Sequence, residues 1–344
     1  MNANRKGGNG GKPLVSLCSS IGPNADRRRS AAKQPPIGLV GQIGLGIMGS
    51  AFAKHLRTAR FGVIGYDVDA ARVAALRRIG GTAEKSAAGV ARQCRILITS
   101  LPSLPAVEAA FFGKDGLLQG AASGTIVIEA STLPLEVKLD LRTRAARKHV
   151  TVLDCPISGT GAQAAAKDIS VYASGPRDAV GRCKAVFAGF ARSMHYCGNY
   201  GNGSKLKFLA NLLVTIHNLS AAEAIVLGLK SGLDLELLYK VIRDGAGSSR
   251  MFEVRAPLMI ADDYSQATMK VDVYQKDIDI ISAYASRLHC PTPLFEASKP
   301  YYSAAYAQGH AKDDTAAICA VLERLAGIDR KTGRKSAKKR TRTR

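Results

Sequence analysis

The 344-residue sequence has no tryptophan and few aromatic residues. It also lacks any apolar run that approaches the roughly 20 residues needed to cross a bilayer. Its first residues include Arg5 and Lys6 but not the apolar segment of a secretory signal. We therefore expect a cytoplasmic protein without a membrane segment. The length suits two domains, each large enough to bury a core.

The spacings that typify metal sites and redox motifs are missing as well. The seven cysteines are dispersed without a Cys-x-x-Cys pair, and the six histidines never occur as His-x-x-x-His. Free thiols in a reducing compartment are the expectation. The sequence predicts no metal centre.

Acidic residues are scarce at the two ends of the chain. Residues 1–36 carry seven basic residues and one acid, and residues 329–344 carry nine basic residues and one acid, so the ends hold most of the net charge of +22. Both ends are too poor in apolar residues to pack, which predicts disorder. A basic tail attracts nucleic-acid phosphates, so a nucleic-acid-associated protein is an alternative function. The tail lacks interleaved aromatic residues for base stacking, which favours a solubilising extension.

One segment carries a specific signal. The apolar run from Ile37 to Ile43 leads into Gly44-Leu-Gly46-Ile-Met-Gly49 and then into a helical pattern. In such a turn the first glycine allows the tight bend, the second lets the backbone approach a pyrophosphate, and the third lets the helix pack on the strand. A second predicted strand ends at Asp67, where an acid binds the ribose of NAD and repels the extra phosphate of NADP. The sequence predicts an NAD site. Arg72, one turn beyond, is interpreted as an exposed helix arginine, with contact to the 2′-phosphate of NADP as the alternative.

Short apolar runs alternate with helical stretches from Ile37 to about Gly198. The predicted strands are 37–43, 62–66, 96–99, 125–128, 150–154 and 170–173. This alternation is typical of an α/β fold with a doubly wound parallel sheet. From Gly203 onward only long helical patterns follow. We predict an α/β domain at 37–200 and an all-α domain at 201–328, between basic extensions at 1–36 and 329–344.

Serine and threonine residues follow three of the predicted strands, in the segments 99–103, 129–132 and 154–161. Any one of them alone is better explained as a turn former or helix cap. An open α/β sheet binds its ligand at the carboxyl ends of its strands. Three such loops at successive strand ends therefore predict a ligand site at this edge.

A polar stripe marks the first long helix of the predicted all-α domain. Its members are Lys207, Asn211, Thr215 and Asn218. Residues three or four apart share one helix face. The neighbouring apolar residues are expected to bury most of the remaining circumference. They are Leu206, Phe208, Leu209, Ala210, Leu212, Leu213, Val214, Ile216 and Leu219. Because an unpaired buried ammonium is costly, the stripe needs a polar partner, and a cofactor cleft supplies one.

Together these motifs resemble the β-hydroxyacid dehydrogenases typified by 3-hydroxyisobutyrate dehydrogenase. The matching pieces are the residues 44–49, 100–102, 131–132, 156–159, 201–211 and 276–277. They span about residues 37 to 327, and they imply an N-terminal Rossmann domain, an all-α C-terminal domain and a homo-oligomer. Two further stretches, which begin at Gly247 and Gly309, are most similar to L-threonate dehydrogenase and related sugar-acid enzymes.

The resemblance implies a role for each matched residue. Lys207 would be the general acid/base and Asn211 would position it. Substrate contacts would come from Ser131, Ser158, Gly159 and Thr160, the last three receiving the carboxylate. Cofactor contacts would come from Gly44, Leu45, Gly46, Ile47, Met48, Gly49, Asp67, Leu101, Pro102, Thr132 and Lys276.

The implied reaction is hydride transfer between NAD and the hydroxyl carbon of a small hydroxy acid. Substrates of the 3-hydroxyisobutyrate, tartronate semialdehyde and L-threonate class fit, and NADP is the less expected cofactor. Where the family usually has Ser-Gly-Gly this chain has Ser158-Gly159-Thr160, which leaves the substrate open. Where the family often has two asparagines, this chain has Ala210-Asn211. Imine reduction is a further alternative that keeps the fold but usually replaces the lysine.

Overall fold

The computed structural model describes residues 37–330. The predicted disorder of the basic extensions, and the nucleic-acid arm considered for the second of them, fall almost wholly outside the described residues. Only Asp329 and Arg330 of those extensions are described. The described residues belong to a single compact unit.

Six parallel strands form the central sheet in the order β3-β2-β1-β4-β5-β6. The strands are β1 (Leu39–Ile43), β2 (Gly62–Tyr66), β3 (Thr82–Ala83), β4 (Ile96–Thr99), β5 (Ile126–Glu129) and β6 (Thr151–Asp154). Their apolar character follows from burial on both faces. The strand order reverses between β1 and β4, the place where such a sheet binds a ligand. The predicted doubly wound parallel sheet is confirmed.

Helices cover this sheet, and three of them begin at side-chain caps. They are α1 (Ile47–Thr58), α2 (Ala70–Arg78), α3 (Ala87–Gln93), α4 (Leu104–Phe112) and α5 (Leu135–Ala146). Asp69 caps α2, Ser86 caps α3 and Ser103 caps α4, each accepting a hydrogen bond from a backbone N–H of the first turn. Such caps satisfy donors that the helix itself leaves unpaired.

The strand at Ser170–Ala173 does not join the central sheet, contrary to the alternation in the sequence. It is β8 of a separate three-stranded sheet, between β7 (Ile157–Ser158), to which it is antiparallel, and β9 (Ser193–Tyr196), to which it is parallel. Three short helices accompany this sheet, α6 (Gly161–Ala165), α7 (Arg177–Arg182) and α8 (Lys184–Phe190). A four-residue apolar run indicates a strand but carries no signal for its partner.

The second half of the described chain is helical, as predicted. The helices are α9 (Asn202–Lys230), α10 (Leu235–Asp244), α11 (Arg250–Ala261), α12 (Val271–Arg287), α13 (Pro293–Ala305) and α14 (Ile318–Leu325). Helix α9 contacts all five that follow it, and it also contacts β6, β7 and β8. It therefore connects the helical core to the carboxyl edge of the sheet. The domain boundary at residue 200 stays a prediction.

Two expectations about α9 were wrong. With 29 residues and a mean hydropathy of 1.6 in its most apolar window, it is long and apolar enough to cross a membrane by length and composition. Its contacts with five helices are those of a core helix. The polar stripe is buried, but Leu206, Leu209 and Leu213 are 43%, 55% and 50% exposed. The leucines form an open face because no other described element packs over them.

Candidate active site

A cavity of about 880 Å³ lies along the carboxyl edge of the sheet. Loops after β1, β2, β4 and β5 form one side of it. The other side comes from Lys207 of α9 and from the residues that lead into and begin α12. The cavity therefore combines the predicted cofactor edge with the predicted polar stripe.

The glycine turn after β1 needs its glycines for separate reasons. Gly44 has a φ of +85°, and a Cβ there would lie 2.3 Å from the carbonyl oxygen of Ser100. A Cβ at Gly49 would lie 1.9 Å from the carbonyl oxygen of Gly44. A Cβ at Gly46 would lie 3.9 Å from its nearest neighbour, Arg72 Nη1, so the backbone there is open to a ligand. This cradle fits a pyrophosphate at the start of α1.

Four residues of this turn line the cavity, namely Gly44, Gly46, Ile47 and Met48. The other two expected cofactor contacts, Leu45 and Gly49, do not line it. Leu45 is buried in the core beneath the turn, and Gly49 lies against Gly44. Leu45 and Gly49 therefore stabilise the conformation of the turn from its buried side.

Asp67 lies at the end of β2 and faces the cavity. Its Oδ2 accepts a hydrogen bond from the Leu45 N–H at 2.6 Å, and its Oδ1 accepts one from the Asp69 N–H at 2.9 Å. Arg72 also lines the cavity, with Nη1 3.5 Å from Asp67 Oδ2 and Nε 3.3 Å from Asp69 Oδ2. The fixed carboxylate fits a ribose diol. Arg72 belongs to the same pocket although it is half exposed.

The loops after β4 and β5 lie side by side. Leu101, Pro102, Ser131 and Thr132 all line the cavity, and the Leu101 N–H donates to Ser131 Oγ at 2.9 Å. From the opposite side, Lys276 Nζ donates to the Thr132 carbonyl oxygen at 2.7 Å. Lys276 therefore connects α12 to the sheet edge across the cavity, consistent with the closing role that the resemblance implies.

Lys207 lines the cavity and is 7% exposed. Burial lowers the pKa of Lys207 below its ordinary value, and the nearby charge of Lys276 lowers it further, whereas the charge of Asp277 acts in the opposite direction. Within residues 37–330 its ammonium makes no hydrogen bond or ion pair. A buried amine with a lowered pKa that faces a cavity is suited to carry a proton.

The rest of the polar stripe makes its hydrogen bonds inside the helical core, although Asn218 Oδ1 is buried without a partner among the described residues. Asn211 Nδ2 donates to Asp277 Oδ2 at 2.8 Å, and Asp277 itself lines the cavity. Thr215 Oγ1 lies 2.9 Å from Tyr274 Oη, and Asn218 Nδ2 donates to the Thr315 carbonyl oxygen at 2.9 Å. Only Lys207 of the stripe lines the cavity, so the expectation of one polar partner for all four residues was wrong.

The loop expected to bind a carboxylate is only partly open. Gly159 and Thr160 line the cavity, whereas Ser158, in β7, does not. Gly159 has a φ of +140°, and a Cβ there would lie 2.6 Å from Ile169 Cγ2. Thr160 caps α6: its Oγ1 accepts from the Gln163 N–H at 3.4 Å, and its own N–H donates to Gln163 Oε1 at 3.0 Å. Thr160, which stands where the family usually has the second glycine, thus caps the first turn of a short helix.

Sequence reasoning missed a buried charge cluster behind this edge. Lys138 of α5 has its Nζ 2.6 Å from Glu129 Oε2 and 2.7 Å from Asp154 Oδ1, and all three side chains are fully buried. Burial disfavours the Lys138 charge, but the two carboxylates outweigh it and raise the pKa of Lys138. Asp154 also accepts from the Ser204 N–H at 2.7 Å. The cluster thereby ties β5 and β6 to the first turn of α9, one turn before Lys207.

A signal for Lys138 was present in the sequence. It shares a helix face with Leu141 and Ala145, both buried, at spacings of three and seven residues. Asp277 had a weaker signal, as the neighbour of Lys276. Nothing in the pattern indicated that Thr268, Met269 and Lys270 line the cavity, because they lie in a loop.

Two family models match the chain in succession. Residues 39–198 match the NAD binding domain of 6-phosphogluconate dehydrogenase, and residues 201–322 match the NAD-binding domain of NADP-dependent 3-hydroxyisobutyrate dehydrogenase. An L-threonate dehydrogenase from Cupriavidus necator is 33% identical over 284 residues, which cover 82% of this chain and 95% of that protein.

Solved structures agree with this result. A 3-hydroxyisobutyrate dehydrogenase from Salmonella typhimurium aligns with a TM-score of 0.75 and 29% identity, over 82% of this chain and 99% of that one. An imine reductase from Myxococcus stipitatus aligns with a TM-score of 0.53 and 17% identity, over 83% and 99% of the two chains. A likeness at that level shows a shared fold alone.

Proposed function

The chain belongs to the family of β-hydroxyacid dehydrogenases that includes 3-hydroxyisobutyrate dehydrogenase, and on that premise we propose that it oxidises a short, hydroxyl-rich acid of the L-threonate type with Lys207 as the general base. An NAD-linked dehydrogenase of hydroxy acids is the class to which its relatives belong. The substrate and the residue roles are the proposal.

The observation that carries the proposal is the position of Lys207. Its amine is buried, it lines the cavity, and burial lowers its pKa. Bound NAD supplies a hydride acceptor. The neutral Lys207 amine would take the hydroxyl proton as hydride leaves the same carbon, and the resulting ammonium would be stabilised by Asp277. Asn211 would hold Asp277 in place through its hydrogen bond of 2.8 Å.

Substrate orientation would come from the sheet side of the cavity. Ser131 and the backbone of Gly159 line it there and would offer donors to a carboxylate, and Thr160 lies beside them. Thr132, Leu101 and Pro102 would flank the nicotinamide, and the glycine turn would hold the pyrophosphate. When the carboxylate is held there, the hydroxyl carbon would lie next to Lys207. Catalysis by proximity and orientation requires such a fixed arrangement of the reacting groups.

A substrate panel tests the proposal. The purified protein would be assayed for NADH formation with L-threonate and 3-hydroxyisobutyrate, for NADH oxidation with tartronate semialdehyde, and for reduction of a cyclic imine. We expect the highest kcat/KM with L-threonate and no imine reduction. A preference for the imine would overturn the proposal in favour of the reductase alternative.

The pH dependence of the reaction should respond in opposite directions to two neighbouring substitutions. Asp277→Asn removes the charge that stabilises the Lys207 ammonium, so the pKa of Lys207 falls and the acid limb of kcat/KM for oxidation moves to lower pH. Lys276→Met removes a repelling charge, so the limb moves to higher pH. Asp279→Asn, at an exposed position of α12, should leave the limb in place. Shifts of the same sign in both variants would contradict Lys207 as the titrating base.

Cofactor choice is expected to depend on Asp67. In Asp67→Ser the carboxylate that faces the ribose is lost and Arg72 loses one of its two acidic partners. We expect the ratio of kcat/KM with NADP to that with NAD to rise by about tenfold or more, the worth of a hydrogen bond to a charged group. Asp178→Ser, at an exposed position of α7, is the control. An unchanged ratio would remove Asp67 from cofactor discrimination.

We also propose that the protein is a homo-oligomer, which the family resemblance implies. The open face of α9, formed by Leu206, Leu209 and Leu213, supports this because contiguous exposed apolar residues favour an interface. Sedimentation velocity of the full chain measures the state directly. The cytoplasmic location and the weaker alternative of a nucleic-acid role for the basic tail stay predictions.

A further inference from the structure

A buried ion pair joins the two stretches of sequence to which no role has been given. Arg255 of α11 lies in the stretch that begins at Gly247, and Asp314 lies in the stretch that begins at Gly309. Arg255 Nη1 is 2.5 Å from Asp314 Oδ1, and the two side chains are 2% and 0% exposed. Burying two charges is expensive, and a hydrophobic pair in their place is often no less stable. Stability alone therefore does not explain this pair, and a role in positioning a neighbouring segment is the alternative.

Asp314 holds the loop that leads into α12. Its Oδ2 accepts hydrogen bonds from the Thr268 N–H at 2.8 Å and from Thr268 Oγ1 at 3.0 Å, and the Met269 N–H lies 3.3 Å away. Arg255 Nη1 donates to the same Thr268 hydroxyl at 2.8 Å. The Thr315 N–H donates to the Met269 carbonyl oxygen at 2.9 Å. Residues 267–270, here named the wall segment, belong to no helix or strand. They are held by the ion pair and by a β-bridge between Lys270 and Asp314.

The wall segment faces the candidate active site. All four of its residues line the cavity that Lys207 and Asp277 also line. The carbonyl oxygen of Thr268 would lie 3.9 Å from a Cβ at Gly161, so the segment passes beside the loop proposed to receive the carboxylate. Lys276 and Asp277 follow within two turns of α12. The segment therefore stands at the substrate end of the cavity.

The last residue of the wall segment brings an unpaired cation. Lys270 is half-buried, and it makes no ion pair within residues 37–330. It lines the main cavity and also an adjoining cavity of about 670 Å³. A cation in this position favours a ligand that is anionic or rich in hydroxyl groups beyond its reacting carbon.

We propose that the Arg255–Asp314 pair is the positioning element of substrate specificity, which holds the wall segment so that Lys270 meets the far end of a hydroxyl-rich acid. The inference rests on the proposed function and narrows its substrate class. An acid such as L-threonate offers hydroxyl groups to Lys270, whereas 3-hydroxyisobutyrate offers a methyl group. The ion pair therefore maintains the ratio of kcat/KM for L-threonate to that for 3-hydroxyisobutyrate.

The test compares both substrates in Asp314→Asn and in the double variant Arg255→Met/Asp314→Asn. The double variant leaves no unpaired buried charge and keeps a carbonyl acceptor for the loop, so it stays informative if the single variant unfolds. We expect KM for L-threonate to rise by about tenfold, and the kcat/KM ratio of L-threonate to 3-hydroxyisobutyrate to fall by a similar factor. The Kd for NAD and the kcat at saturation are expected to change by less than about threefold.

Two further variants separate positioning from stability. Lys270→Met leaves the ion pair intact and should reproduce the loss of discrimination without a change in the urea midpoint. Arg250→Met/Glu253→Gln removes an exposed ion pair of 2.9 Å from the same helix α11 and should change neither ratio nor KM. General destabilisation reduces the active fraction for both substrates equally, so it leaves the ratio constant.

Variants that are folded and active but keep the wild-type ratio would overturn the positioning role alone. A rise in the Kd for NAD in step with KM would also overturn it, because the wall segment would then serve the cofactor. Inactivity of the wild-type protein on every hydroxy acid of the panel would instead overturn the proposed function together with this inference.

Discussion

Replacing Lys207 with alanine is expected to lower kcat for hydroxy-acid oxidation by about 100- to 10 000-fold, the range over which a positioned acid/base contributes. The Kd for NAD should stay within a factor of about two, because every proposed dinucleotide contact except Lys276 lies on the sheet side of the cavity and Lys276 is unchanged. Stopped-flow turnover and titration of NAD binding measure the two quantities separately. The physical reason is that a water molecule in place of the amine would be a much weaker base and would not be held in a fixed position.

Two companion variants sharpen this experiment. Lys205→Ala removes an exposed lysine from the same turn of α9 and should leave kcat unchanged. Lys207→Arg keeps a cation but replaces the amine with a guanidinium that does not deprotonate, so it should be as inactive as the alanine variant. A Lys207→Ala enzyme with wild-type turnover, or an active arginine variant, would show that another group carries the proton.

Replacing Lys138 with methionine is expected to lower the free energy of unfolding by about 3–5 kcal/mol, because two buried carboxylates lose their shared counter-charge. The contacts are short, at 2.6 and 2.7 Å, and all three side chains are fully buried. Urea denaturation followed by circular dichroism measures the change. Loss of the cluster should also loosen the link between Asp154 and the first turn of α9, and so lower kcat in the molecules that remain folded.

Lys148→Met provides the matched control, since it removes an exposed lysine shortly after the end of the same helix. The triple variant Lys138→Met/Glu129→Gln/Asp154→Asn removes all three charges and should recover part of the stability that the single variant loses. A loss below about 1 kcal/mol in Lys138→Met, the usual worth of an exposed pair, would mean that the cluster is hydrated in solution.

The central fold could be predicted because parallel strands buried on both faces leave continuous apolar runs. Five of the six strands of the central sheet were predicted within two residues of their observed bounds, and the bounds of β2 (62–66) and β4 (96–99) agree at both ends. The sixth, β3, has two residues and no pattern of its own. Strand β8 was found but assigned to the wrong sheet, since the partner of a strand depends on contacts that are distant in sequence.

The candidate site, like the fold, could be predicted only in part. The glycine turn, Asp67 and Lys207 could be proposed from the sequence because each is a residue type that few other environments tolerate, and they line one cavity. Local spacing does not identify both partners of a contact between distant segments. It gave no sign of the bond from Asn211 to Asp277, and it placed Lys138 on a buried helix face without indicating its carboxylate partners. The leucines of α9 were misjudged because an apolar helix face does not reveal whether the same chain covers it.

The hydrogen bond from the Ser204 N–H to Asp154 has an electrostatic consequence for the cofactor. A helix of 29 residues carries a partial positive charge at its beginning, and here the buried carboxylate offsets it from within the protein. Helix α1 has no acidic residue in its first turn and no side-chain cap at Gly46. Of these two helix starts, only that of α9 is offset by a buried carboxylate, so the helix dipoles favour phosphates at the start of α1 over the start of α9.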